Sequence, residues 1–156
     1  YDPLVVSRSF TGALSAVSGY TLPVRDEIRV YLPRDEGTQM ISYTGEGKTD
    51  PTYYNIEALE TRDKYALFLG GNHPQILIRT SSKSDKTLVI LKDSYANCFI
   101  PFLGEVYRKI IVIDPRYYAD DLGTLLRGQK ADDVLLLFNA NTLAKDTTLA
   151  DVLQPK

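Results

Sequence analysis

Three apolar runs in the second half of the chain constrain the fold more than any other feature of the sequence. They read TLVILK at 87–92, KIIVIDPR at 109–116 and DDVLLLFNANT at 132–142. Runs of this length that are almost continuously apolar are typical of strands covered on both faces. The segments between them, 95–108 and 120–128, carry apolar residues at helical spacing. Strand, helix, strand, helix and strand in this order predict a parallel sheet with right-handed crossovers.

The first half of the chain is less regular. Two alternating segments, 27–33 and 40–45, flank a loop that contains Gly37, which predicts an antiparallel hairpin in the N-terminal third. Residues 64–80 read as an apolar segment, a Gly-Gly turn and a strand. A chain of 156 residues can bury one full core and is short for two, so 1–156 is predicted to be a single domain.

Composition and charge narrow the classes of function. Hydrophobic residues make up 44% and charged residues 24%, the ordinary balance of a globular protein. The formal net charge of −2 gives no reason to expect nucleic acid as a partner, and no stretch is apolar over the length of a membrane-spanning helix. A single cysteine rules out an internal disulfide, and one cysteine with one histidine cannot form a zinc-finger site. We expect no metal and no cofactor.

Polar residues follow each of the three predicted strands and mark a candidate site. In an open parallel sheet, ligands bind beyond the carboxyl ends of the strands. The segment GGNH at 70–73 would add glycines, an amide and the only histidine if it folds onto the same edge. In chain order, the candidate substrate-binding and catalytic residues are Gly71, Asn72, Ser94, Tyr95, Asp114, Arg116, Asn139 and Asn141.

Ser94 is the candidate nucleophile among them. It lies at a strand-to-helix turn, where the amides at the start of the helix can stabilise a developing oxyanion. Gly71 and Asn72 are residue types that could complete such an oxyanion hole. A serine hydroxyl also needs a neighbouring base, and His73 is the sole imidazole of the chain.

A purely structural interpretation of the same residues stays open. Ser94 or Asp93 could simply cap the following helix, which is worth about 1 kcal/mol and requires no function. Asp114 could belong to an ordinary turn after its strand, and Asn139 and Asn141 could bind their own backbone. The residue pattern alone does not separate capping from catalysis.

Four stretches in this order resemble one family. They are FLGGNHPQ (68–75), LVILKDSYANCFIPFL (88–103), IIVIDPRYY (110–118) and DVLLLFNANTLAKDTTL (133–149). Together they resemble the C-terminal half of the DHHW family, a bacterial group of SGNH-hydrolase-like proteins that are generally exported or membrane-anchored. The resemblance covers residues 65–150, and it extends to the opening stretch FTGALSAVSGY (10–20).

The resemblance implies a flavodoxin-like three-layer α/β/α sandwich with a mainly parallel sheet, and it places the family's nucleophile at Ser94. It also relates the chain to SGNH-type enzymes that acetylate exported polysaccharides. In those relatives an Asp and a His precede the serine, but this sequence contains no Asp-His-His-Trp motif and no tryptophan. We therefore expect the chain to correspond to a C-terminal portion, and to be inactive or very weak by itself.

Two functions follow as expectations. The first is a serine esterase or O-acetyltransferase that uses an acyl donor and acts on polysaccharide of the bacterial cell envelope or extracellular space. The alternative is a non-catalytic module on an SGNH-like fold that binds a glycan or an envelope partner, with Asp114, Arg116 and Asn139 as recognition residues. A nucleotide-binding flavodoxin-like domain has less support, because no glycine-rich phosphate loop follows the strand at 87–92.

Overall fold

The computed structural model describes residues 1–20, 23–34, 39–43, 47–147 and 150–151. Its strands are β1 (Asp2–Phe10), β2 (Asp26–Leu32), β3 (Gln39–Tyr43), β4 (Lys48–Asp50), β5 (Gln75–Thr80), β6 (Thr87–Lys92), β7 (Lys109–Ile113) and β8 (Asp133–Leu137). Its α-helices are α1 (Ala13–Ser18), α2 (Leu122–Gln129) and α3 (Ala140–Lys145), and its 3-10 helices are Ile56–Glu60, Lys64–Leu67, Ser94–Ala96 and Ile100–Glu105. In these ranges no helix has the length and apolar character needed to span a bilayer.

The three strands predicted from the apolar runs are present and mutually parallel. Strand β6 lies between β7 and β8, and Ile90 is in register with Val112 on one side and Leu135 on the other. Side chains of β6 and β7 are buried on both faces of the sheet. This double burial is the physical reason why these two segments are apolar without alternation.

The complete sheet is mixed, which corrects the expectation of a mainly parallel one. Its order is β4-β3-β5-β7-β6-β8, and the pairs β3–β4, β3–β5 and β5–β7 are antiparallel. Only residues 81–86 join β5 to β6. A parallel crossover needs a dozen or more residues, so β5 runs opposite to β6 and β7.

The two faces of the sheet are covered by different kinds of structure. On one face, α2 contributes Leu122 to a buried cluster with Val89 and Ile111. On the other face, Ile90 and Val112 pack with residues of loops and 3-10 segments such as Tyr53 and Ile100. The mixed α/β class is therefore confirmed, whereas a regular three-layer sandwich stays a prediction.

Antiparallel strands are present in the N-terminal third, but they pair differently from the predicted hairpin. Strand β2 pairs with β1 in a separate two-stranded sheet, and β3 joins β4 and β5. Ile28 and Val30 of β2 pack against Leu67 and Phe68, so this strand has an apolar partner outside the main sheet. Gly37 and residues 44–45 of the predicted hairpin lie outside the described residues.

The third apolar run was predicted to be covered on both faces, and here the sequence was misleading. Strand β8 ends the sheet, and Val134 and Leu136 are 50% and 51% exposed. The alternate residues Leu135 and Leu137 pack against the core. Sequence periodicity cannot show that an apolar residue lies on the exposed face of an edge strand, because burial is set by neighbouring elements.

The helix predicted at 95–108 is replaced by two 3-10 segments. Pro101 lies in the first turn of the segment Ile100–Glu105, and Gly104 lies near its end. A Cβ atom built on Gly104 would overlap the hydroxyl of buried Tyr53 and lie 3.4 Å from its Cζ. The absence of a side chain at residue 104 thus allows this segment to approach the core closely.

Gly104→Ala is expected to lower the free energy of unfolding by about 1–3 kcal/mol, because overpacking forces a rigid, buried ring to shift. Chemical denaturation measures the change. Gly128→Ala is the matched control: no atom of the described structure lies within 4 Å of a Cβ there, and the site is helical. That substitution should raise stability by about 0.5–1 kcal/mol.

Tyr53→Phe tests the cause directly. The Tyr53 hydroxyl is buried and has no hydrogen-bond partner among the described residues, so its removal should cost little. In the Tyr53→Phe background, most of the loss caused by Gly104→Ala should disappear. An unchanged loss in that background would contradict the overlap.

Candidate functional site

The candidate site lies at one edge of the main sheet, called the rim here. The rim comprises residues 92–97, residues 114–116 and Asn139, together with Gly71 and Asn72. Strands β6, β7 and β8 are parallel and end at this edge. Because β5 is antiparallel to β7, with Gln75 opposite Ile113, the residues that precede β5 lie beside those that follow β7. This register is what brings Asn72 to the rim.

Strand order marks this edge as the expected position for a ligand. The chain leaves β6 for β7 on one side and then crosses to β8 on the other, so β6 lies at a reversal of strand order. Ligands of α/β proteins bind outside the carboxyl ends of strands at such a reversal. Ser94 follows β6 directly, and the rim is therefore the position that topology alone assigns to a ligand.

Asp93 fixes the chain segments that follow β6 and β8. Its side chain is fully buried, and Oδ1 accepts a hydrogen bond from the amide of Tyr95 at 3.0 Å. Oδ2 accepts from the backbone amide of Asn139 at 3.0 Å and also from the Asn139 side-chain Nδ2. One carboxylate thus caps the segment Ser94–Ala96 and ties the end of β8 to the end of β6.

The choice between capping and catalysis for Ser94 can now be narrowed. Asp93 is the cap, and Ser94 is half-buried with a hydroxyl that donates to no described residue and accepts from none. Asn139 combines two functions, because its Oδ1 also caps α3 by accepting from the amide of Thr142 at 2.9 Å. The Asx-turn interpretation therefore fits Asn139, while the Ser94 side chain is not used in local structure.

The backbone around Ser94 is held from a third direction. The hydroxyl of Tyr65 donates to the carbonyl of Ser94 at 3.0 Å. Burial is the main reason why the pKa of Tyr65 is raised, so its hydroxyl stays a donor. The amides of Tyr95 and Ala96 are both bonded to Asp93, which leaves the amide of Ser94 itself as the free backbone donor within the described part of this segment.

A second polar cluster lies on the β7 side of Ser94. Asp114 is fully buried and receives two hydrogen bonds from Arg116, Nε to Oδ1 at 2.8 Å and Nη2 to Oδ2 at 2.6 Å. Lys92 is equally buried, and its Nζ lies 3.4 Å from Asp114 Oδ2. Desolvation lowers the pKa of Lys92 despite the nearby carboxylate, whereas the hydrogen bonds to Asp114 raise the pKa of Arg116.

Asn72 is exposed and joins this cluster through its amide oxygen. Oδ1 accepts from Lys92 Nζ at 3.4 Å and from Asn97 Nδ2 at 3.3 Å. Asn97 is buried, and its Nδ2 also donates to the carbonyl of Gly71 at 3.2 Å. Gly71 has a φ of 106°, a conformation that strongly favours glycine, so the turn preceding β5 is specified by this residue.

The remaining predicted residues lie at the rim in different settings. Tyr95 is 65% exposed, and Arg116 is partly exposed with its guanidinium 5.4 Å from the ring centroid of Tyr117. Asp114 has no exposed surface, so it acts through Arg116 rather than facing solvent. Asn141 lies in α3, is exposed, and has no hydrogen bond to the rest of the rim within the described ranges.

Within the described residues, His73 makes no hydrogen bond to Ser94. Its ring packs on Tyr43 with centroids 4.5 Å apart, and Tyr43 belongs to β3, which is separated from β6 by β5 and β7. Within the described ranges, no group of three His, Cys, Asp or Glu residues is arranged to hold a metal ion. The chemistry available at the rim is therefore a hydroxyl, amide donors and one buried ionic cluster.

Sequence reasoning missed Lys92 and Asn97. The signal for Lys92 was a charged residue at the end of a strand whose other members are apolar, because a lysine inside a buried run requires partners. Asn97 gave no comparable signal, since its role depends on the turn at Gly71, which is distant in sequence.

Asp93→Asn is expected to lower the free energy of unfolding by about 2–3 kcal/mol. Both carboxylate oxygens accept hydrogen bonds, and the amide nitrogen introduced by the substitution would face an N–H donor. Asp121→Asn is the control, because Asp121 caps α2 from a more exposed position and Asn is an equally good cap. Its loss should stay below about 1 kcal/mol; equal losses in the two variants would contradict the structural role of Asp93.

Several solved structures resemble this chain. A DHHW family protein from Eubacterium siraeum superposes with a TM-score of 0.81 at 23% identity, over all of this chain and 54% of that one. Bacillus cereus PatB1 with a sulfonyl adduct gives a TM-score of 0.71 at 19% identity, over 95% of this chain and 49% of that one. A second PatB1 structure gives 0.67 at 22% identity, over 83% and 45%.

No family model matches the sequence, and no curated protein does. The chain spans about half the length of the solved structures that it resembles. At these identities the likeness establishes the fold. The resemblance inferred from the four sequence stretches is thereby confirmed, since this chain has the fold of the corresponding part of a DHHW family protein.

Proposed function

We propose that the rim is the active site of an SGNH-like serine esterase or O-acetyltransferase acting on cell-envelope polysaccharide, with Ser94 as the nucleophile. One observation carries this proposal: Asp93 does the capping, so a half-buried serine hydroxyl is left unengaged at the carboxyl end of the central parallel strand. The fold shared with a DHHW family protein and with PatB1 supports it. An extracellular or envelope location belongs to the same proposal.

The proposed reaction has two steps. The Ser94 oxygen forms a bond to the carbonyl carbon of an acetyl ester, the hydroxyl proton passes to a base, and the leaving alcohol takes that proton as its C–O bond breaks. Water or a sugar hydroxyl then attacks the acetyl-serine and releases Ser94. Water as acceptor gives hydrolysis, and a sugar hydroxyl gives acetyl transfer.

Two groups are the proposed donors for the developing oxyanion. The free backbone amide is that of Ser94 itself, and the side-chain Nδ2 of Asn72 bonds to no described residue. Removal of one such donor in serine hydrolases costs a factor of about 100–1000 in rate. Arg116 and Tyr95, both with exposed surface, are the proposed contacts for the sugar.

Among the described residues, no imidazole is hydrogen-bonded to Ser94. The only histidine of the sequence, His73, packs on Tyr43 of β3, and β5 and β7 lie between β3 and β6. A base for Ser94 would therefore come from outside residues 1–156. General-base assistance contributes roughly 100- to 10,000-fold, so the chain alone should react slowly.

A sulfonyl fluoride probe tests the proposal, since the PatB1 structure carries a sulfonyl adduct. We expect mass spectrometry to find Ser94 labelled, at least about 100-fold faster in a longer version of the protein that includes an Asp-His pair than in the 156-residue chain. Hydrolysis of 4-nitrophenyl acetate should show the same ratio, and Ser94→Ala should abolish both signals without lowering the thermal unfolding midpoint.

Rapid, Ser94-dependent turnover by the 156-residue chain alone would contradict the need for an external base. Absence of Ser94 labelling in the longer protein would contradict the enzymatic function.

A non-catalytic glycan-binding module is the second candidate, and a specific observation favours it: Tyr31 and Phe99 are partly exposed on either side of Phe102, at centroid distances of 5.4 and 6.4 Å. Glycan binding without labelling would select the module.

A further inference from the structure

Lys92 is an anomaly of the buried core. Its side chain has no exposed surface, and burial of an ammonium group is costly unless the charge is needed. Its carboxylate neighbour does not require it, because Asp114 is already paired through two hydrogen bonds with Arg116. A methionine of similar length at this position would leave Asp114 paired. The lysine charge is therefore not explained by stability.

Besides Asp114 Oδ2, the ammonium contacts the amide oxygen of Asn72, in both cases at 3.4 Å. The direction of that amide is fixed by chemistry alone. Lysine has only donors, so the Asn72 atom that faces Nζ must be its oxygen. Asn97 places its Nδ2 between the carbonyl of Gly71 and the same Asn72 oxygen, so it also acts as a donor there.

Two donors thus occupy the two lone pairs of Asn72 Oδ1. The nitrogen of the amide is consequently turned away from Lys92 and Asn97, and it donates to no described residue. Asn72 is exposed, so these N–H groups are available to a ligand. A cation on the amide oxygen also polarises the group and strengthens its N–H groups as donors.

We infer that Lys92 is a positioning residue, whose buried ammonium holds the side-chain amide of Asn72 with its N–H groups presented to the rim. The inference deepens the proposed function, in which Asn72 is an oxyanion donor. Lys92 touches no substrate in this scheme. Its effect is exerted through the orientation and donor strength of one amide.

The first test needs no catalytic activity. In ¹⁵N-labelled 156-residue chain, the side-chain amide signals of Asn72 can be assigned by their loss in Asn72→Ser. Lys92→Met should leave the fold and the denaturation midpoint intact or raise the midpoint, yet at neutral pH the Asn72 amide protons should exchange with water about tenfold more slowly, because loss of the cation on the amide oxygen makes these exposed N–H groups less acidic. Lys86→Met, at an exposed ion pair with Asp133, is the control and should leave these signals unchanged.

Restoring the charge separates positioning from packing. In a Cys98→Ser background, Lys92→Cys can be alkylated with 2-bromoethylamine in denaturant and refolded, which gives an ammonium at nearly the length of lysine. The fast exchange of the Asn72 amide should return. Unchanged exchange in Lys92→Met, or slow exchange that the alkylated variant does not reverse, would overturn the inference.

The second test reports on the reaction. In the longer protein, Lys92→Met should slow Ser94 acylation by at least about tenfold through kcat with little change in KM, because an oxyanion donor acts mainly in the transition state. Asn72→Ser should lower the rate at least as much, and adding Lys92→Met to it should have no further effect. Additive losses would overturn the inference. If Ser94 is never acylated, the proposed function fails, while the amide measurement still decides the role of Lys92.

Discussion

The carboxylate of Asp93 is the interaction on which the architecture of the rim depends. It is fully buried, and its two oxygens hold the start of the segment after β6 and the first residues after β8. An isolated carboxylate would be costly at such a position, and three donors compensate for its desolvation. Because the capping is done by this residue, the serine that follows it has no structural task.

Two buried polar clusters flank that serine and differ in kind. On the β8 side, the carboxylate of Asp93 is stabilised by hydrogen bonds from amide donors. On the β7 side, Asp114 is paired with Arg116, and Lys92 is an additional cation. Well-packed apolar residues would often stabilise a fold as much as such buried ions do. The buried ions are therefore better explained by their effect on the orientation of neighbouring groups. Ser94 lies between one cluster that fixes its backbone and another that fixes a neighbouring amide.

Much of this arrangement could be predicted from sequence, and the failures have physical causes. The parallel strands were legible because β6 and β7 are buried on both faces, and Asn72 and Ser94 were found because polar residues cluster at strand ends. The helix expected at 95–108 failed because Gly104 fits against Tyr53, a contact that no local pattern reports. The predicted hairpin is also absent because of contacts that are distant in sequence, since β2 packs against Leu67 and Phe68.

Tyr65 connects the two sheets of the molecule in a way that has consequences for motion. Its ring packs between Phe10 of β1 and Phe68, with centroids 6.3 and 5.3 Å away, and its hydroxyl holds the carbonyl of Ser94. A displacement of the two-stranded sheet is therefore transmitted through one rigid side chain to the peptide that carries the hydroxyl. The N-terminal strands thereby help to hold the backbone of the proposed nucleophile, although none of their residues belongs to the rim.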